Sequence, residues 1–411
     1  MIPGWLESEV TAYDMPMESA PRVVLDIGAS IGAFTLRALQ KWPNALVFAY
    51  EPNPEVAKQY LEHTAGKAGA FLIQAGVRDQ NGTADLLLGD NIATSGFHNL
   101  GRSCGQTVTV QTIDAAQLPK AEFVKIDTEG DECIILERLD LSQCESLVVE
   151  FHRKDDFPRL LKIARAKGML LHEVEHSPHN PHLGVIKWTR RVIPERLFIG
   201  IPIYGGVEGS FMRCLLALEK AHLVGTLLSC RIGDSLVPRS RNELTYEFLG
   251  TNCASVLFMD CDLVFNPMEV KRLNDMPDEL VGGAYPKKQP NLVWVCNTLP
   301  GVEKPREDGL YEVRYVGSGF MRCKRSVFEK IVQKFGAEIS YQPDHDPTIT
   351  NWDFWRIGVW PPNPADGKRR YLSEDWFLCE LWRECGGHVW MDTHMPLKHI
   401  GSAVFPMPKA E

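Results

Sequence analysis

The chain alternates twice between short apolar runs and segments whose apolar positions recur every three to four residues. The first series opens at residues 21–30, PRVVLDIGAS, and the second at 196–206, RLFIGIPIYGG. Each begins with a strand pattern that ends at a turn of small residues. Between the two series, residues 176–197 contain three prolines and no sustained periodicity. The pattern predicts two α/β domains, at residues 1–192 and 193–411.

Length, composition and charge agree with this division. The 411 residues exceed what one hydrophobic core usually serves, since a domain typically has about 100–200 residues. Hydrophobic residues make up 44% and charged residues 24%, which excludes a disordered, collagen-like or coiled-coil protein. The formal net charge is −9. Because clustered Lys and Arg are the main source of nucleic-acid affinity, a nucleic-acid partner is not expected.

The start of the chain and its cysteines suggest a compartment. The first twenty residues contain carboxylates but no Lys or Arg, unlike a signal peptide. No apolar run reaches the ~20 residues that span a bilayer. The eleven cysteines are odd in number and lack CxxC pairs or zinc-type spacing. We therefore expect a soluble cytoplasmic protein with reduced thiols and no membrane span, and the oligomeric state stays open.

The first series contains a strand, a glycine turn and a helix. The strand pattern VVLDI, residues 23–27, is followed by a turn with Gly28 and Gly32 and by the helical pattern FTLRALQKW. Glycines allow the backbone to approach a ligand closely, and the start of a helix offers unpaired N–H groups. Glycines at strand ends also form plain turns. The pattern alone thus leaves a ligand site and a structural turn open.

A carboxylate after the next strand favours the ligand site. Glu51 ends the apolar strand pattern ALVFAYE, where an acid can accept hydrogen bonds from both ribose hydroxyls. The dinucleotide fingerprint GxGxxG is absent, because Ser30 and Ala33 replace its second and third glycines. An acid, Asp26, precedes Gly28 by two positions. These residues predict an adenosine-type cofactor other than a dinucleotide.

Five stretches follow one another in an order that resembles the FkbM-type family of S-adenosylmethionine-dependent methyltransferases. The resemblance covers about residues 20–176 and implies a Rossmann-like methyltransferase sheet that acts mostly on sugar or polyketide hydroxyls. The stretches are DIGASIGAFT, EPNP (51–54), GVRDQNGTADL (76–86), VTVQTIDA (108–115) and VKIDTEGDECIIL (124–136).

The resemblance also implies which residues bind S-adenosylmethionine. The glycine turn would line the methionine and ribose end, the second strand would bind the ribose, and a later strand would flank the adenine. By position these residues are Asp26, Gly28, Ser30 and Gly32, then Glu51, then Val77 or Arg78.

Methyl transfer to a hydroxyl usually needs a group that takes the proton. Asp127 ends the strand pattern FVKID, where the carboxyl edge of the sheet opens onto the cofactor. Glu129 and Glu132 follow and are either a base or acids that favour the dipole of the next helix. We expect Glu150 and His152 to face opposite sides of the sheet, so that at most one reaches the pocket. Asp127 and His152 are the catalytic candidates.

The second series continues strand–helix alternation, which predicts a largely parallel sheet. Its apolar strand pattern ASVLFM is followed by Asp260 and Asp262. Two carboxylates in an i, i+2 relation project on the same side of an extended chain. Their hard oxygens suit Mg²⁺ or Mn²⁺, which would hold a diphosphate. A strand that merely ends in two acids is the alternative.

Seven stretches of the second series occur in an order similar to GT-A-type glycosyltransferases. This similarity covers nearly all of residues 196–402 and implies a GT-A nucleotide-sugar-binding α/β domain with a nucleotide-sugar donor. The stretches are IPIYGG (201–206), PRSRNEL (238–244), FMDCDLVF (258–265), GGAYPKK (282–288), VGSGFMRCKRSVF (316–328), YLSEDWFLCELWRECGGHVWMD (371–392) and KHIG (398–401).

The GT-A similarity implies roles for individual residues of the donor site. Pro202 and Tyr204 would lie near the base, and Arg241 would contact the nucleotide or its phosphates. Asp260, Asp262 and His399 would bind the metal. These assignments belong to the resemblance, and a lone histidine is more often a surface or core residue.

Two further groups complete the second site. Glu374 and Asp375 match the acidic pair that supplies the base in many inverting GT-A enzymes, with Asp375 as the first choice. Alternatively, Ser373 caps a helix and the acids favour its dipole. Trp352, Trp355 and Trp360 are the acceptor-site candidates, because flat aromatic faces stack on sugar rings. Trp376, Trp382 and Trp390 alternatively pack into the core, and we expect this for at least two of them.

Together the two resemblances predict a bifunctional enzyme that modifies a glycan or glycoconjugate. It would transfer a sugar from a nucleotide-sugar donor with Mn²⁺ or Mg²⁺ and methylate a sugar hydroxyl with S-adenosylmethionine. Two alternatives stay open. One is a viral-type glycosyltransferase that modifies hydroxylated nucleobases, and the other is a glycosyltransferase with a non-catalytic methyltransferase-like scaffold.

Overall fold

The computed structural model divides the chain into two compact units, Met1–Arg191 and Val192–Glu411. Both units mix helices and strands, which confirms the predicted α/β class. The described residues are 10–89, 95–98, 103–178, 180, 182–289, 293–302, 304–361, 367–401 and 404–406.

Within these residues the first unit has ten strands and four helices. The strands β1 to β10 span, in chain order, Val23–Ile27, Leu46–Tyr50, Ala70–Ile73, Gly76–Arg78, Gly82–Gly89, Ser103–Asp114, Phe123–Ile126, Ser146–Phe151, Leu170–His176 and Gly184–Thr189. The helices α1 to α4 span Ala33–Lys41, Pro54–His63, Glu132–Arg138 and Asp156–Ala166.

Seven of these strands form one sheet, in the order β3, β2, β1, β7, β8, β10 and β9. The strands from β3 to β8 pair in parallel, and β10 is antiparallel to both β8 and β9. Strands β4, β6 and β5 form a separate sheet. Because parallel strands end at the same edge, the residues after β1, β2, β7 and β8 meet there.

The first sheet is covered on both faces. Leu25 and Ile27 of β1 pack into one hydrophobic cluster, and Val24, the residue before Leu25, packs into another. This alternation follows from the two-residue period of a strand. Helix α1 covers the face of Val24, whereas α3 and α4 cover the opposite face. The buried strands therefore hold the sheet edge rigidly.

Within the described residues the second unit has fifteen strands and five helices. The strands β11 to β25 span Ile193–Ile203, Thr226–Ile232, Cys253–Met259, Leu263–Val264, Leu280–Gly283, Cys296–Thr298, Leu310–Val316, Phe320–Lys324, Ser340–Tyr341, Asn351–Trp352, Gly358–Trp360, Arg370–Leu372, Trp390–Asp392, Lys398–Ile400 and Val404–Pro406. The helices α5 to α9 span Gly209–Ala221, Val237–Leu249, Pro267–Asp275, Arg325–Ile339 and Glu374–Glu384.

The main sheet of the second unit is mixed, which corrects the largely parallel sheet expected from the sequence. Its order is β12, β11, β13, β18, β15, β23, β17 and β16. Strand β11 pairs in parallel with β12 and β13, and β15 pairs in parallel with β23. The other four pairings are antiparallel. No described helix lies between β15 and β18, and without such a crossover consecutive strands need not run in one direction.

Two observations bear on the expected compartment. In the described part of the chain, no helix is both long and apolar enough to cross a bilayer. Ten of the eleven cysteines are described as free thiols, as the sequence predicts. The cytoplasmic location stays a prediction.

Candidate functional site

A cavity opens at the carboxyl edge of the first sheet, beyond the ends of β1, β2 and β7. Its empty volume is about 970 Å³, including space open to solvent. Of the predicted site residues, Gly28, Ser30, Glu51, Val77 and Asp127 line it. Open parallel sheets bind ligands at this edge. The structure therefore brings most of the predicted cofactor residues to one cavity.

Gly28 is needed where β1 ends and the cavity begins. Its φ is +76°, and a Cβ at this position would lie 1.6 Å from the carbonyl oxygen of Asp127. Its N–H donates to the carbonyl of Tyr50, at 3.0 Å. Ser30 also has a left-handed conformation, with φ +48°. The turn thus packs its backbone directly against the residue that follows β7, where a Cβ at position 28 would clash.

Glu51 fastens this turn to the end of β2. Its Oε2 accepts a hydrogen bond from Ser30 N at 2.9 Å, and its Oε1 accepts one from Asn53 N at 2.9 Å. Burial raises the pKa of Glu51 to about 7, although both hydrogen bonds oppose the shift. Each carboxylate oxygen has two acceptor positions, so capacity for a hydroxyl donor remains.

Asp26 does not line the cavity, which corrects one predicted cofactor contact. It is fully buried at the middle of the sheet, where Oδ2 accepts a hydrogen bond from Thr35 Oγ1 at 2.7 Å. Its Oδ1 lies 3.4 Å from Lys125 Nζ. Burial raises the pKa of Asp26 even against the Lys125 charge. Asp26 therefore acts on the cavity through Lys125.

Lys125 is a site residue that the sequence analysis did not identify. Its side chain lines the cavity with 4% exposure and donates a hydrogen bond to the Gly28 carbonyl at 2.6 Å. Nζ also lies 3.3 Å from Asp127 Oδ2. Burial lowers the pKa of Lys125, but the charges of Asp127 and Asp26 outweigh it and raise the pKa. The sequence signal for this role is a lysine inside the otherwise apolar strand pattern FVKI.

Gly32 and Arg78 also lie away from the cavity lining, unlike the prediction. Gly32 precedes α1 with φ +88°, and a Cβ there would lie 2.9 Å from the ring of Tyr60. Arg78 pairs with Asp131, with Nε 3.0 Å from Oδ2. These two residues have packing and ion-pair roles beside the site, whereas the neighbouring Val77 lines it.

A cluster of carboxylates surrounds His152, whose side chain is 4% exposed. Nδ1 lies 3.1 Å from Glu132 Oε1. Nε2 lies 3.6 Å from Glu129 Oε2 and 3.7 Å from both Asp127 Oδ1 and Glu150 Oε1. The expectation that Glu150 and His152 face opposite sides is wrong, since residues two apart on a strand share a face.

His152 is charged in this environment. Burial lowers the pKa of His152, but the hydrogen bond with Glu132 and the charges of Glu132, Asp127 and Glu129 raise it to about 10. Burial raises the pKa of Glu132, yet His152 and the N–H of Gly130 bring it down to about 2. A protonated imidazole has no free lone pair to accept a proton. The direction of this shift disfavours His152 as a general base, and that role stays a prediction.

Tyr13 joins the site without having been predicted, and Glu150, considered in the sequence only as the alternative to His152, lies beside it. Burial and the charge of Asp127 raise the pKa of Glu150 to about 7. The Tyr13 hydroxyl lies 3.2 Å from Asp127 Oδ2 and contacts Glu150 Oε2. Tyr13 also lines the cavity. Asp127 thus lines the cavity with Glu51 and Glu129, and Glu150 is connected to Asp127 through the Tyr13 hydroxyl.

In the second unit, the Asp260 and Asp262 pair follows β13 as predicted, but both residues have cationic partners. Asp260 Oδ1 accepts a hydrogen bond from Arg241 at 2.7 Å, and Arg241 is 2% exposed. Asp262 pairs with Lys288, and its Oδ1 lies 3.5 Å from His399 Nε2. Burial raises the pKa of Asp262, but His399 and Lys288 bring it below its ordinary value.

The three predicted metal ligands do not converge in this conformation. Among the described residues, one group of three His, Cys, Asp or Glu side chains has its ligand atoms within 4.8 Å of one another. That group is Asp127, Glu129 and His152 of the first unit. Asp260, Asp262 and His399 do not meet the same limit, because Arg241 and Lys288 draw the two carboxylates toward separate cations.

Glu374 and Asp375 begin α9 near the Arg241–Asp260 pair. Burial and the charge of Asp375 raise the pKa of Glu374. Burial also raises the pKa of Asp375, while Arg241 opposes the shift. Ser373 makes no side-chain cap to the helix, so the alternative role as helix cap is not observed, and its hydroxyl contacts Asp375.

The residues predicted near the nucleotide base lie at the end of β11. Pro202 is buried in the strand, where it is opposite Arg231. Tyr204 follows the strand and is 68% exposed. An exposed ring can stack on a base, whereas the buried proline supports the strand.

The acceptor prediction is wrong for Trp355. This side chain is fully buried, its Nε1 donates to Thr245 Oγ1 at 3.0 Å, and its ring packs edge-on against Phe258. It therefore offers no face to a sugar. Trp352 and Trp360 are partly buried against the same hydrophobic core. Trp382 is a core residue as expected, and Trp376 and Trp390 are partly buried.

Comparison with known proteins finds methyltransferases. A relative, the hexuronic acid methyltransferase AglP of Haloferax volcanii, is 26% identical over 137 residues. The match covers 32% of this chain and 56% of AglP, so the chain spans little more than half the length of this curated relative.

Similar solved structures include precorrin-6y C5,15-methyltransferase from Geobacter metallireducens, with 15% identity and a TM-score of 0.27. That match covers 44% of this chain and 85% of the methyltransferase. Fibrillarin from Aeropyrum pernix with bound S-adenosyl-L-methionine has 13% identity, 44% and 74% coverage, and a TM-score of 0.29. Residues 26–171 match the methyltransferase FkbM domain, which confirms the sequence resemblance over that range.

Proposed function

We propose that the first unit is an S-adenosylmethionine-dependent O-methyltransferase that acts on a sugar hydroxyl. The observation that carries this proposal is the cavity where the glycine turn, Glu51 and Asp127 meet at one sheet edge. The match of residues 26–171 to the FkbM domain supports the same activity. The name of the relative, a hexuronic acid methyltransferase, supports a sugar acceptor.

The residues of the cavity suit S-adenosylmethionine. Gly28 lets the turn pack directly on the Asp127 carbonyl in a left-handed conformation, where any Cβ would clash, and so shapes the edge of the cavity. Glu51 is held by Ser30 and Asn53 and keeps acceptor capacity for ribose hydroxyls. When bound, the cofactor supplies the electrophilic methyl group. Val77, 3% exposed, offers an apolar contact for an adenine ring.

The chain's own residues then have to orient the acceptor and take its proton. Asp127 lines the cavity and is the first choice for the proton acceptor. Lys125 holds one oxygen of Asp127, and Tyr13 links Asp127 to Glu150. These contacts fix the carboxylate in place, which favours a productive arrangement of the acceptor hydroxyl.

Methyl transfer to a panel of sugars tests this activity. Full-length protein with methyl-labelled S-adenosylmethionine should label oligosaccharides that contain a hexuronic acid or a neutral sugar, with the label retained as an ether. Asp127→Asn should lower the rate by about 10²–10⁴-fold. Asp140→Asn, a change in an exposed ion pair with Lys120, should leave it unchanged. Labelling that is equal in both variants would contradict the role of Asp127.

For the second unit we propose glycosyl transfer from a nucleotide-sugar donor. Its support is the proximity of predicted residues from distant parts of the chain, with Arg241 beside Asp260 and His399 beside Asp262. Carboxylates and imidazole are ligands for Mn²⁺ or Mg²⁺, which would bind here in place of the Lys288 contact. Tyr204 would stack on the nucleotide base of the donor. Glu374 or Asp375, at the start of α9, would take the proton of the acceptor hydroxyl.

The two activities together would modify one glycan or glycoconjugate in the cytoplasm. Asp262→Ala should abolish Mn²⁺-dependent hydrolysis or transfer of a nucleotide sugar. Undiminished turnover in this variant would refute the metal role. A panel of nucleotide sugars, tested by thermal shift with Mn²⁺, identifies the donor because a ligand of the native state raises its melting temperature.

A further inference from the structure

We propose that Asp127, Glu129 and His152 bind a divalent cation in the first unit. One ligand atom from each residue lies within 4.8 Å of the other two. His152 Nε2 is 3.6 Å from Glu129 Oε2 and 3.7 Å from Asp127 Oδ1. Two ligands bound at 2.0–2.2 Å to one ion are about 3.0–3.6 Å apart, whereas an N–H···O bond spans about 2.7–3.2 Å. The two distances are too long for direct hydrogen bonds and lie at the upper end of the ligand spacing or just beyond it, so a small closure of the side chains brings them onto a shared ion.

The orientation of His152 is an independent observation. The ring is nine-tenths buried or more, and Glu132 holds its Nδ1 at 3.1 Å. In the part of the chain that the structure describes, no hydrogen bond reaches Nε2, which is aimed at the two carboxylates. A ligating histidine usually donates its other ring N–H to a carboxylate, which fixes the ring. His152 and Glu132 have that relationship.

The loop after β7 makes this arrangement rigid. Glu132 Oε1 accepts hydrogen bonds from the N–H groups of Thr128 and Gly130, both at 3.0 Å. Glu129 has a left-handed φ of +57° within this loop. The loop is thereby folded around Glu132 and carries Glu129 toward His152. The side chain that orients the imidazole thus also shapes the segment that supplies a carboxylate.

The remaining contacts leave one oxygen of Asp127 for an ion. Its Oδ2 lies beside Tyr13 and Lys125, at 3.2 and 3.3 Å, whereas Oδ1 faces His152. Glu150 Oε1, 3.7 Å from Nε2, is near enough to be a fourth ligand. A donor set of carboxylates with one imidazole suits Mn²⁺ and related divalent ions. On binding, the cation takes the place of the proton on Nε2.

The location suggests what such an ion would do. Asp127 and Glu129 line the cavity, so open positions of the ion face the space for the acceptor. A bound cation lowers the pKa of an oxygen ligand and orients it. With the ion in place, Asp127 would therefore act on the acceptor hydroxyl through the ion and not as its direct proton acceptor. This role, but not the binding of the ion, rests on the proposed methyltransferase function. A cation would also offset the negative charge of the site carboxylates, which would otherwise repel an acidic sugar.

Electron paramagnetic resonance of Mn²⁺ added to metal-free full-length protein tests the site, in an Asp262→Ala/His399→Gln background that removes the metal site proposed for the second unit. Electron spin echo modulation should show coupling to a coordinated imidazole nitrogen. His152→Gln should remove this coupling, and the matched control His345→Gln, at an exposed histidine outside both proposed metal sites, should retain it. Glu129→Gln, whose side chain is partly exposed, should weaken Mn²⁺ binding at least about tenfold, and Glu132→Gln by about 10–100-fold.

Absence of nitrogen coupling, or its loss in His345→Gln with retention in His152→Gln, would overturn the proposal and leave a closed ion-pair cluster. If His152→Gln does not fold, unchanged Mn²⁺ affinity in Glu129→Gln overturns it. Calorimetry with S-adenosylmethionine in the presence of EDTA keeps the two claims apart. Cofactor binding without Mn²⁺ binding contradicts only the metal site, and the reverse contradicts only the proposed function.

Discussion

Lys125 Nζ lies 3.3 Å from Asp127 Oδ2, although the lysine side chain is 4% exposed. The same ammonium group lies 3.4 Å from buried Asp26. It thereby connects a carboxylate inside the sheet to one that lines the cavity. Removal of one partner from a buried charge pair leaves an uncompensated charge, which costs about 3–5 kcal/mol.

We therefore expect Lys125→Met to lower the free energy of opening of β7 by about 3–5 kcal/mol. Native-state hydrogen exchange at the amides of β1 and β7 measures this change. Lys120→Met is the matched control, because Lys120 pairs with Asp140 at the surface, where a pair contributes about 0–1 kcal/mol. Equal losses of opening free energy in the two variants would contradict the position of Lys125 between Asp26 and Asp127.

Gly28→Ala should prevent cofactor binding. The new Cβ would lie 1.6 Å from the Asp127 carbonyl oxygen, in addition to the cost of a positive φ. Gly66→Ala isolates that second cost, because Gly66 has φ +77° and nothing within 4 Å of its Cβ. We expect Gly66→Ala to lose about 1–2 kcal/mol of stability and keep the thermal shift with S-adenosylmethionine. A Gly28→Ala variant that retains this shift would contradict the tight turn.

Glu51 predicts a pH dependence of stability in the first unit. Burial raises its pKa from 4.5 to about 7, so the folded state holds a proton that the unfolded state has released. The stability that protonated Glu51 contributes is fully present below pH 4.5 and is lost as the pH rises to about 7. The free energy of unfolding changes by about 3 kcal/mol over this range. Glu51→Gln should remove this loss.

Hydrogen exchange at β2 in the wild type and in Glu51→Gln, compared at several pH values, measures the difference. The two proteins should diverge in slope between pH 4.5 and 7 and run parallel above it. Identical slopes would show that Glu51 titrates as it does in the unfolded chain.

Trp355→Ala should destabilise the second unit by about 3–5 kcal/mol, because the ring is fully buried and its N–H is bonded to Thr245. Trp360→Ala should cost less, since that ring is only partly buried against Phe377. Native-state hydrogen exchange at the amides of β13 and α6 measures the loss of stability in both variants. A stable Trp355→Ala protein that loses only glycosyl transfer would restore Trp355 as an acceptor residue.

The sequence was sufficient for the residues that directly follow the strands. Gly28, Glu51 and Asp127 each come after an apolar strand pattern, and parallel strands end at one edge, so their proximity could be predicted. Asp26 precedes the end of its strand by one residue, and its side chain is therefore enclosed within the sheet instead of reaching the cavity.

Contacts between distant segments were not accessible from local patterns. Tyr13 reaches Asp127 and Glu150 across more than one hundred residues of sequence, from a segment outside the strand motifs. Trp355 lies in a proline-rich stretch that has no periodicity to indicate burial. The partners of Asp260 and Asp262 likewise come from helix α6 and from the segment after β15. Such pairings depend on the tertiary fold.

Calorimetric titration of full-length protein with S-adenosylmethionine tests the main proposal most directly. We expect saturable binding at one site per chain, lost in Gly28→Ala, weakened in Glu51→Ala and retained in Gly66→Ala. No binding to the intact wild-type protein, or binding that Gly28→Ala leaves unchanged, would contradict a cofactor site at the carboxyl edge of the first sheet.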